Sequence, residues 1–345
     1  MTTEYFLGAN SGDGFASLYG GFCCAPGDFL YIIKGGPGGG KSRFMRRIGR
    51  SAEERGLDVE YILCSGDPDS LDGVYIPELS LGFADGTAPH VIEPRHTAVD
   101  SSYVNLGCFC SCDMEPADAQ SVLEHTAAYK ANYKSAYAFL SAAKSVKYAG
   151  FPENLPADAR ENAIRRGKTT VRRELTGLEG HGGHVTKRFV RAISCSGELV
   201  LNETLCKLAP RMYVLDDRFG LAGDFMDGAC SEALRRGFDV ILCPSPLWPE
   251  ITESLLIPQA GLGFTAMPIA GAARHLRLDR AVAAGADMKA VRKKEKLYSA
   301  LMADAMSELA LAKANHDALE KAYRPYVDFP GLTAYTDEMI AAIFG

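Results

Sequence analysis

Short apolar runs separated by turn residues mark the N-terminal part of the chain, and each reads as a buried strand. Tyr5 to Ala9 comes first and is broken by Ser11-Gly12-Asp13-Gly14; Phe15 to Phe22 then has the pattern of a short helix. Phe29 to Ile33 is a wholly apolar run flanked by Asp28 and Lys34. Asp58 to Cys64 and Leu79 to Ala84 follow as second and third strands, the latter ending at Asp85. Between them, Lys41 to Arg55 repeats apolar residues at helical spacing, with Phe44, Met45 and Ile48 on one side, and stops at Gly56, a residue suited to end a helix. Alternating strands and helices predict an α/β fold with a parallel sheet. Ligands of such sheets lie at the carboxyl ends of the strands. The loops 35–42, 65–73 and 85–90 are all expected to open on that edge.

Beyond Pro116 the period changes to that of one long helix, 116–147, with Tyr133, Ala136, Tyr137, Leu140 and Ala143 in an apolar stripe read as packing surface. Residues 151–186 are polar, basic and glycine-rich, and predict an exposed connection. Its basic residues Arg165, Arg166, Lys168, Arg172 and Arg173 fit a solvated helix face better than a phosphate contact.

The remainder, 187–345, repeats the pattern of 1–150. Arg188 to Ala192 echoes Tyr5 to Ala9, and Met212-Tyr213-Val214-Leu215 echoes Leu30 to Ile33. Arg236-Gly237-Phe238-Asp239-Val240 matches Arg55 to Val59, and Leu262-Gly263-Phe264 matches Leu81-Gly82-Phe83. A second long helix is expected over 288–323, with His316 inside its apolar stripe. The expected architecture is therefore two tandem P-loop NTPase-like parallel-sheet units, each with a long helical excursion folded as an antiparallel hairpin.

Composition adds little to this picture. The chain has 345 residues, is 47% hydrophobic and carries a net charge of −6, ordinary values that give no general attraction to nucleic acid or acidic membranes. No basic N-terminus precedes an apolar run, and no apolar stretch reaches the length of a membrane span, so a cytoplasmic protein without membrane or nucleic-acid partners is expected. Ten cysteines are then expected to stay reduced. Cys64, Cys230 and Cys243 read as small core residues. Cys108, Cys110 and Cys112 alternate, which would align them on one side of a strand, but they lack the usual metal-ligand spacing. His181 and His184, in HGGH, fit a surface turn.

Candidate chemistry centres on Gly35-Gly36-Pro37-Gly38-Gly39-Gly40-Lys41-Ser42, followed by Arg43. This fits G-x-x-x-x-G-K-[ST] between a strand and a helix. Glycines allow several N–H groups to converge on one anion, at a helix N-terminus that adds positive potential. Lys41 is placed for the β- and γ-phosphates of ATP, and the Ser42 hydroxyl for Mg2+. Asp85, at the end of an apolar strand, is placed to complete the Mg2+ site. Asp67, Asp69 and Asp72 in the acidic loop are candidates to receive a proton from, or bind, a phosphoryl acceptor, or else to hydrogen-bond a turn. His90 lies near the same edge. The second copy has Asp217-Arg218-Phe219-Gly220-Leu221-Ala222-Gly223-Asp224 at the corresponding place, and Ala266 opposite Asp85. It has lost the lysine and the hydroxyl, and Asp216, Asp217 and Asp224 would repel a triphosphate. Arg218, Arg235 or Arg236 is a candidate to reach the first site.

KGGPGGGKS, CSGDPDSLDGVYIPEL and DGTAPH together resemble a family of uncharacterised bacterial tandem P-loop ATPases, also described as nucleotide kinase-like. The resemblance spans nearly the whole chain and implies two copies of the unit and ATP as ligand. The family pattern usually has Thr at the place of Gly39, and a phosphate loop in both copies, which this chain lacks. Absence of an Asn-Lys-x-Asp guanine motif favours ATP over GTP, and absence of Leu-Ser-Gly-Gly argues against an ABC-type ATPase. Absence of a glutamate after Asp85 argues against vigorous hydrolysis. Three functions stay open on the sequence: slow ATP hydrolysis, a small-molecule or nucleotide kinase, and a non-catalytic ATP-controlled module whose helical excursions dock a protein partner.

Overall fold

The apolar runs become two six-stranded mixed sheets in a computed structural model that describes residues 1–148, 155–176, 182–278, 282 and 288–345. The chain begins with β1 (Thr2–Phe6) and a hairpin of β2 (Gly8–Ser11) and β3 (Gly14–Ser17). Next come β4 (Phe29–Lys34), α1 (Lys41–Glu53), β5 (Val59–Leu63), β6 (Leu71–Ile76), β7 (Leu81–Asp85) and β8 (Ser101–Asn105). Two helices follow, α2 (Pro116–Lys147) and α3 (Ala157–Glu174). The chain then gives β9 (Val185–Lys187), a second hairpin of β10 (Arg191–Ser194) and β11 (Gly197–Val200), α4 (Asn202–Leu208), β12 (Arg211–Asp216) and α5 (Ala222–Arg235). It ends with β13 (Val240–Pro244), β14 (Thr252–Ile257), β15 (Leu262–Thr265), β16 (Arg274–Arg277), α6 (Met288–Tyr323) and α7 (Phe329–Phe344).

The first sheet runs β1-β5-β6-β7-β4-β8 and the second β9-β13-β14-β15-β12-β16. Strand for strand, order and polarity agree. In each sheet one strand, β6 or β14, is antiparallel to both neighbours and the rest are parallel. The expectation of a parallel sheet is corrected here: residues 64–70 and 77–80 are too short for a parallel crossover, so the chain makes hairpins. Phe15 to Phe22 is not a helix either. Its first residues pair with β2 as β3, and only Tyr19–Gly21 makes a 3-10 turn.

Each sheet buries both faces. One face of the first sheet packs on α1 and α7, through Phe44, Met45, Ile48, Phe83 and Leu332. One face of the second packs on α5 and α3, through Phe225, Met226, Phe264, Ala163 and Val171. The remaining faces meet each other, with Leu7, Ile32, Ile62, Met212, Cys243 and Leu256 in a shared core. The backbones of Phe6 and Phe189 exchange two hydrogen bonds of 2.9 Å at this junction.

The helices are distributed across the two sheets. The expected hairpins within each half do not form: α2 lies antiparallel against α6, with Asn132 bonded to Glu308 and His125 to Asn315, over a core of Ala136, Leu140, Met302, Ala305 and Leu309. The segment expected as an exposed connection contains α3, an 18-residue helix whose buried face packs on α5 of the second sheet. Reciprocally α7, from the chain end, packs on α1 of the first sheet. The α3–α5 crossing depends on glycine. A Cβ on Gly228 would lie 2.0 Å from the Ile164 carbonyl oxygen, and one on Gly167 2.0 Å from that of Phe225. Backbone meets backbone there, so an added methyl forces the helices apart. Gly228→Ala is expected to destabilise the protein by about 1–3 kcal/mol, seen as a lower urea midpoint at unchanged slope; an unchanged midpoint would contradict the crossing described.

Among the described residues, no helix is long and apolar enough to cross a membrane.

Candidate functional site

The glycine loop joins the end of β4 to the start of α1, in the centre of the first sheet. Gly38 (φ 65°) and Gly40 (φ 80°) occupy the left-handed region, which glycine enters without steric cost. Neither position has room for a side chain: a Cβ on Gly40 would lie 2.5 Å from Leu332 Cδ2, and one on Gly38 3.0 Å from the Glu320 carbonyl oxygen. Gly40 is the N-cap of α1, yet no side chain caps the helix and no acidic residue stands in its first turn. The first N–H groups of a helix have no intrahelical partner, so this end presents donors and positive potential to an anion.

Lys41 folds back over the loop. Its Nζ donates to the carbonyls of Gly35 (2.8 Å) and Gly36 (3.0 Å) and lies 3.6 Å from Asp85 Oδ2. Parallel pairing of β4 and β7 sets Ile33 beside Asp85, which brings the carboxylate to the foot of the loop. Asp85 Oδ1 accepts from the N–H (2.8 Å) and hydroxyl (2.6 Å) of Thr87, leaving Oδ2 turned to Lys41. Ser42 Oγ accepts from the Leu71 N–H at 2.9 Å, tying α1 to β6. Arg43 is exposed beyond it.

The three acids after β5 separate. Asp67 caps its own turn through Ser70 and lies 3.6 Å from Lys313. Asp69 is exposed, and its backbone carbonyl accepts from Arg46. Asp72 is buried. It is the skipped residue of a β-bulge, since Ile62 pairs with Gly73 and Leu63 with Leu71, and the bulge re-aims its side chain. Its Oδ2 lies 3.0 Å from His90 Nε2. His90 is wedged between Phe15 and Tyr19, with ring centroids at 5.0 and 4.9 Å. Burial works against the charged imidazole, but the negative charge of Asp72, with Asp85 behind it, outweighs burial and the opposing Lys41, so the pKa of His90 is raised. Burial likewise holds the Cys64 thiol well above its ordinary range.

Cys64, His90 and Phe15 border a cavity of about 520 Å³. Cys64 and His90 form part of its floor, and Tyr129, Tyr133 and Tyr137 of α2 form a wall, with Lys130 and Lys134 beside them. Tyr133 and Tyr137 belong to the stripe expected to be packing alone; in fact Ala136, Leu140 and Ala143 are buried while these tyrosines, with Tyr129, face the cavity. Burial raises the pKa of all three. Cys64 thus lines a cavity where a plain core residue was expected.

The end of α6 closes the glycine loop from the other side. Glu320 Oε1 accepts from the Gly38 N–H at 3.2 Å, and His316 Nδ1 lies 3.7 Å from the same carboxylate. No signal in the sequence marks Glu320. What reaches the first site from the second half is therefore α6, through Glu320, and α7, through Leu332. Arg235 and Arg236 are held by the Glu232 carboxylate, which these guanidinium groups and Arg172 keep strongly acidic despite burial, and Arg218 is exposed.

The corresponding loop of the second sheet is filled by its own side chain. Asp217 Oδ1 accepts from the N–H groups of Phe219 (3.0 Å) and Gly220 (2.9 Å), and Oδ2 from that of Ala222 (2.7 Å). Asp224 is clamped by Arg160 through two bonds, and Asp216 lies 3.0 Å from His275. At the start of α5 the N–H of Ala222 is thus taken by a carboxylate, whereas Gly40, at the matching position before α1, has no side-chain acceptor.

No protein-family model matches the chain, and no curated protein and no solved structure matches it.

Two other sequence candidates fall away from it. Leu106–Phe109 forms a 3-10 turn, so Cys108, Cys110 and Cys112 do not align on a strand, and no metal-type cluster among the described residues includes them. His184 lends its N–H to Asp239, and His181 lies outside the described residues. Arg165 and Arg166 of α3 line a second cavity, of about 640 Å³, with Arg274 and Arg277 beside the second sheet.

Proposed function

We propose that the loop 35–42 binds the phosphates of Mg-ATP, and that the chain is two copies of a P-loop unit of which only the first takes nucleotide. The observation that carries this is the contrast between the two loops: the first leaves a helix N-terminus without a cap, beside Lys41 and Asp85, whereas Asp217 fills the second. In this reading the N–H groups of Gly36 and of Gly38 to Ser42 hold the β-phosphate, those of Gly38 and Gly39 leaving Glu320 and the Gly36 carbonyl to do so, and Lys41 leaves its carbonyl partners to bridge the β- and γ-phosphates. Ser42 Oγ and Asp85 would hold Mg2+, which when bound neutralises charge between the β- and γ-phosphates. Thr87 fixes the Asp85 carboxylate for that role. The chemistry proposed is slow hydrolysis or phosphoryl transfer in the cytoplasm. Transfer to a second ligand is favoured by the tyrosine-walled cavity on the same sheet edge, with lysines at its rim.

A saturation experiment with a fluorescent ATP analogue tests the single-site reading. It is expected to give one equivalent per chain, and two equivalents would overturn it. Glu320 places negative charge against the loop, so Glu320→Gln is expected to tighten ATP binding about two- to fivefold, the range of a partly exposed charge contact. Weaker binding would mean that Glu320 supports the nucleotide-bound loop.

A further inference from the structure

Beside the glycine loop, Cys64 Sγ, a carboxylate oxygen of Asp72 and a ring nitrogen of His90 all lie within 4.8 Å of one another. Asp72 and His90 are 5% and 7% exposed, so both are more than nine-tenths buried. Two of their atoms, Asp72 Oδ2 and His90 Nδ1, have no hydrogen-bond partner. Asp72 Oδ2 is 3.0 Å from His90 Nε2, an ion-pair separation, but the two make no hydrogen bond. A buried carboxylate oxygen and an imidazole nitrogen without partners cost free energy unless something else satisfies them. The hydroxyl of Tyr19, whose ring packs on His90, is also buried without a partner.

The second sheet shows what this position calls for. Glu253 is the skipped residue of the matching bulge, where Cys243 pairs with Ser254 and Pro244 with Thr252. Its two oxygens take a bidentate contact from Arg191, at 2.8 and 2.7 Å, and Arg191 is itself buried. Arg191 opens β10 as Gly8 opens β2. The first sheet therefore keeps the buried carboxylate and omits the guanidinium. In its stead it sets a thiol and an imidazole against the carboxylate. Thiolate, imidazole and carboxylate together suit zinc and its neighbours, whereas magnesium and calcium favour oxygen alone.

We infer that Cys64, Asp72 and His90 form a site for a zinc-class divalent cation, with an open coordination position facing the tyrosine-walled cavity. Three protein ligands are the number that leaves a fourth position for water or a ligand. Cys64 and His90 both line the cavity, so that position opens on it. Binding releases the Cys64 proton, because the thiolate is the ligand.

Cobalt titration of the chelator-treated full chain tests this, in a background where Cys108, Cys110 and Cys112 are serine. One equivalent of Co2+ is expected to bring up a thiolate-to-cobalt absorption band, which Zn2+ abolishes by displacement. Cys64→Ser should remove the band. Asp72→Asn and His90→Gln should each weaken binding by at least about tenfold, since loss of an outer-shell partner alone costs that much. Replacing His316 and Glu320 by alanine, which removes the other ligand cluster near the loop, should leave the titration unchanged. No band at one equivalent, or a band that survives the changes at positions 64, 72 and 90, would overturn the site. Should Cys64→Ser fail to fold, X-ray absorption of the zinc-loaded background chain decides: one sulfur in the shell supports the site, and none or several overturns it. Lys41→Ala keeps all three ligands and should still bind one equivalent of metal, so this inference and the nucleotide reading stand or fall separately.

Discussion

Lys41→Ala is expected to bind ATP about 30- to 150-fold more weakly than the unaltered chain while melting at nearly the same temperature. The magnitude follows from a charge-assisted contact of about 2–3 kcal/mol, with each 1.4 kcal/mol a factor of ten. The unchanged stability follows from what Lys41 touches. Its ammonium bonds two loop carbonyls and approaches Asp85 at 3.6 Å, in a loop that borders solvent. None of these contacts holds the sheet on its helices. Affinity measured with and without Mg2+ separates the lysine from the metal: Asp85→Asn should diminish the Mg2+ dependence, and Lys41→Ala should weaken binding in both conditions. Equal affinities for Lys41→Ala and the unaltered chain would leave the loop without a phosphate role.

The largest loss of stability is expected at Arg191→Ala. Arg191 bonds Glu253 with two nitrogens and Glu198 with a third at 2.5 Å; Arg191 is buried and the Glu253 side chain is 13% exposed. Removing one partner of a buried ion pair strands the other, which costs about 3–5 kcal/mol. Removing both charges avoids that penalty, so Arg191→Met combined with Glu253→Leu should recover most of the loss. Chemical denaturation of the single and double variants checks this; a double variant as unstable as the single one would mean that packing, and not the stranded carboxylate, sets the cost. The same comparison bears on Asp72, whose counterpart cation the first sheet omits.

Much of this site was legible because its signals are local. The glycine loop lies between an apolar run and a helical period, and the residues that define its motif, from Gly35 to Ser42, are contiguous in sequence. Asp85 was legible from its place at a strand end. The antiparallel strands were legible in principle, because residues 64–70 and 77–80 leave no room for a crossover. Partners distant in sequence were not legible. An apolar stripe announces a buried face but not what covers it, so the α2–α6 and α3–α5 pairings were missed, and with them the open side of Tyr133 and Tyr137. The convergence of Cys64, Asp72 and His90 depends on a bulge and two loops. Loss of lysine from the second loop could be read, but not that Asp217 turns inward to take the N–H groups. Glu320 carried no signal, since its contact with Gly38 spans 282 residues.

The central claim, a single Mg-ATP site at residues 35–42, is most directly tested by isothermal calorimetry of Mg-ATP on the unaltered chain and on Lys41→Ala. The account predicts a saturable isotherm with one site per chain that is lost or strongly weakened in the variant. No binding to the unaltered chain, or the same isotherm from both proteins, would contradict it.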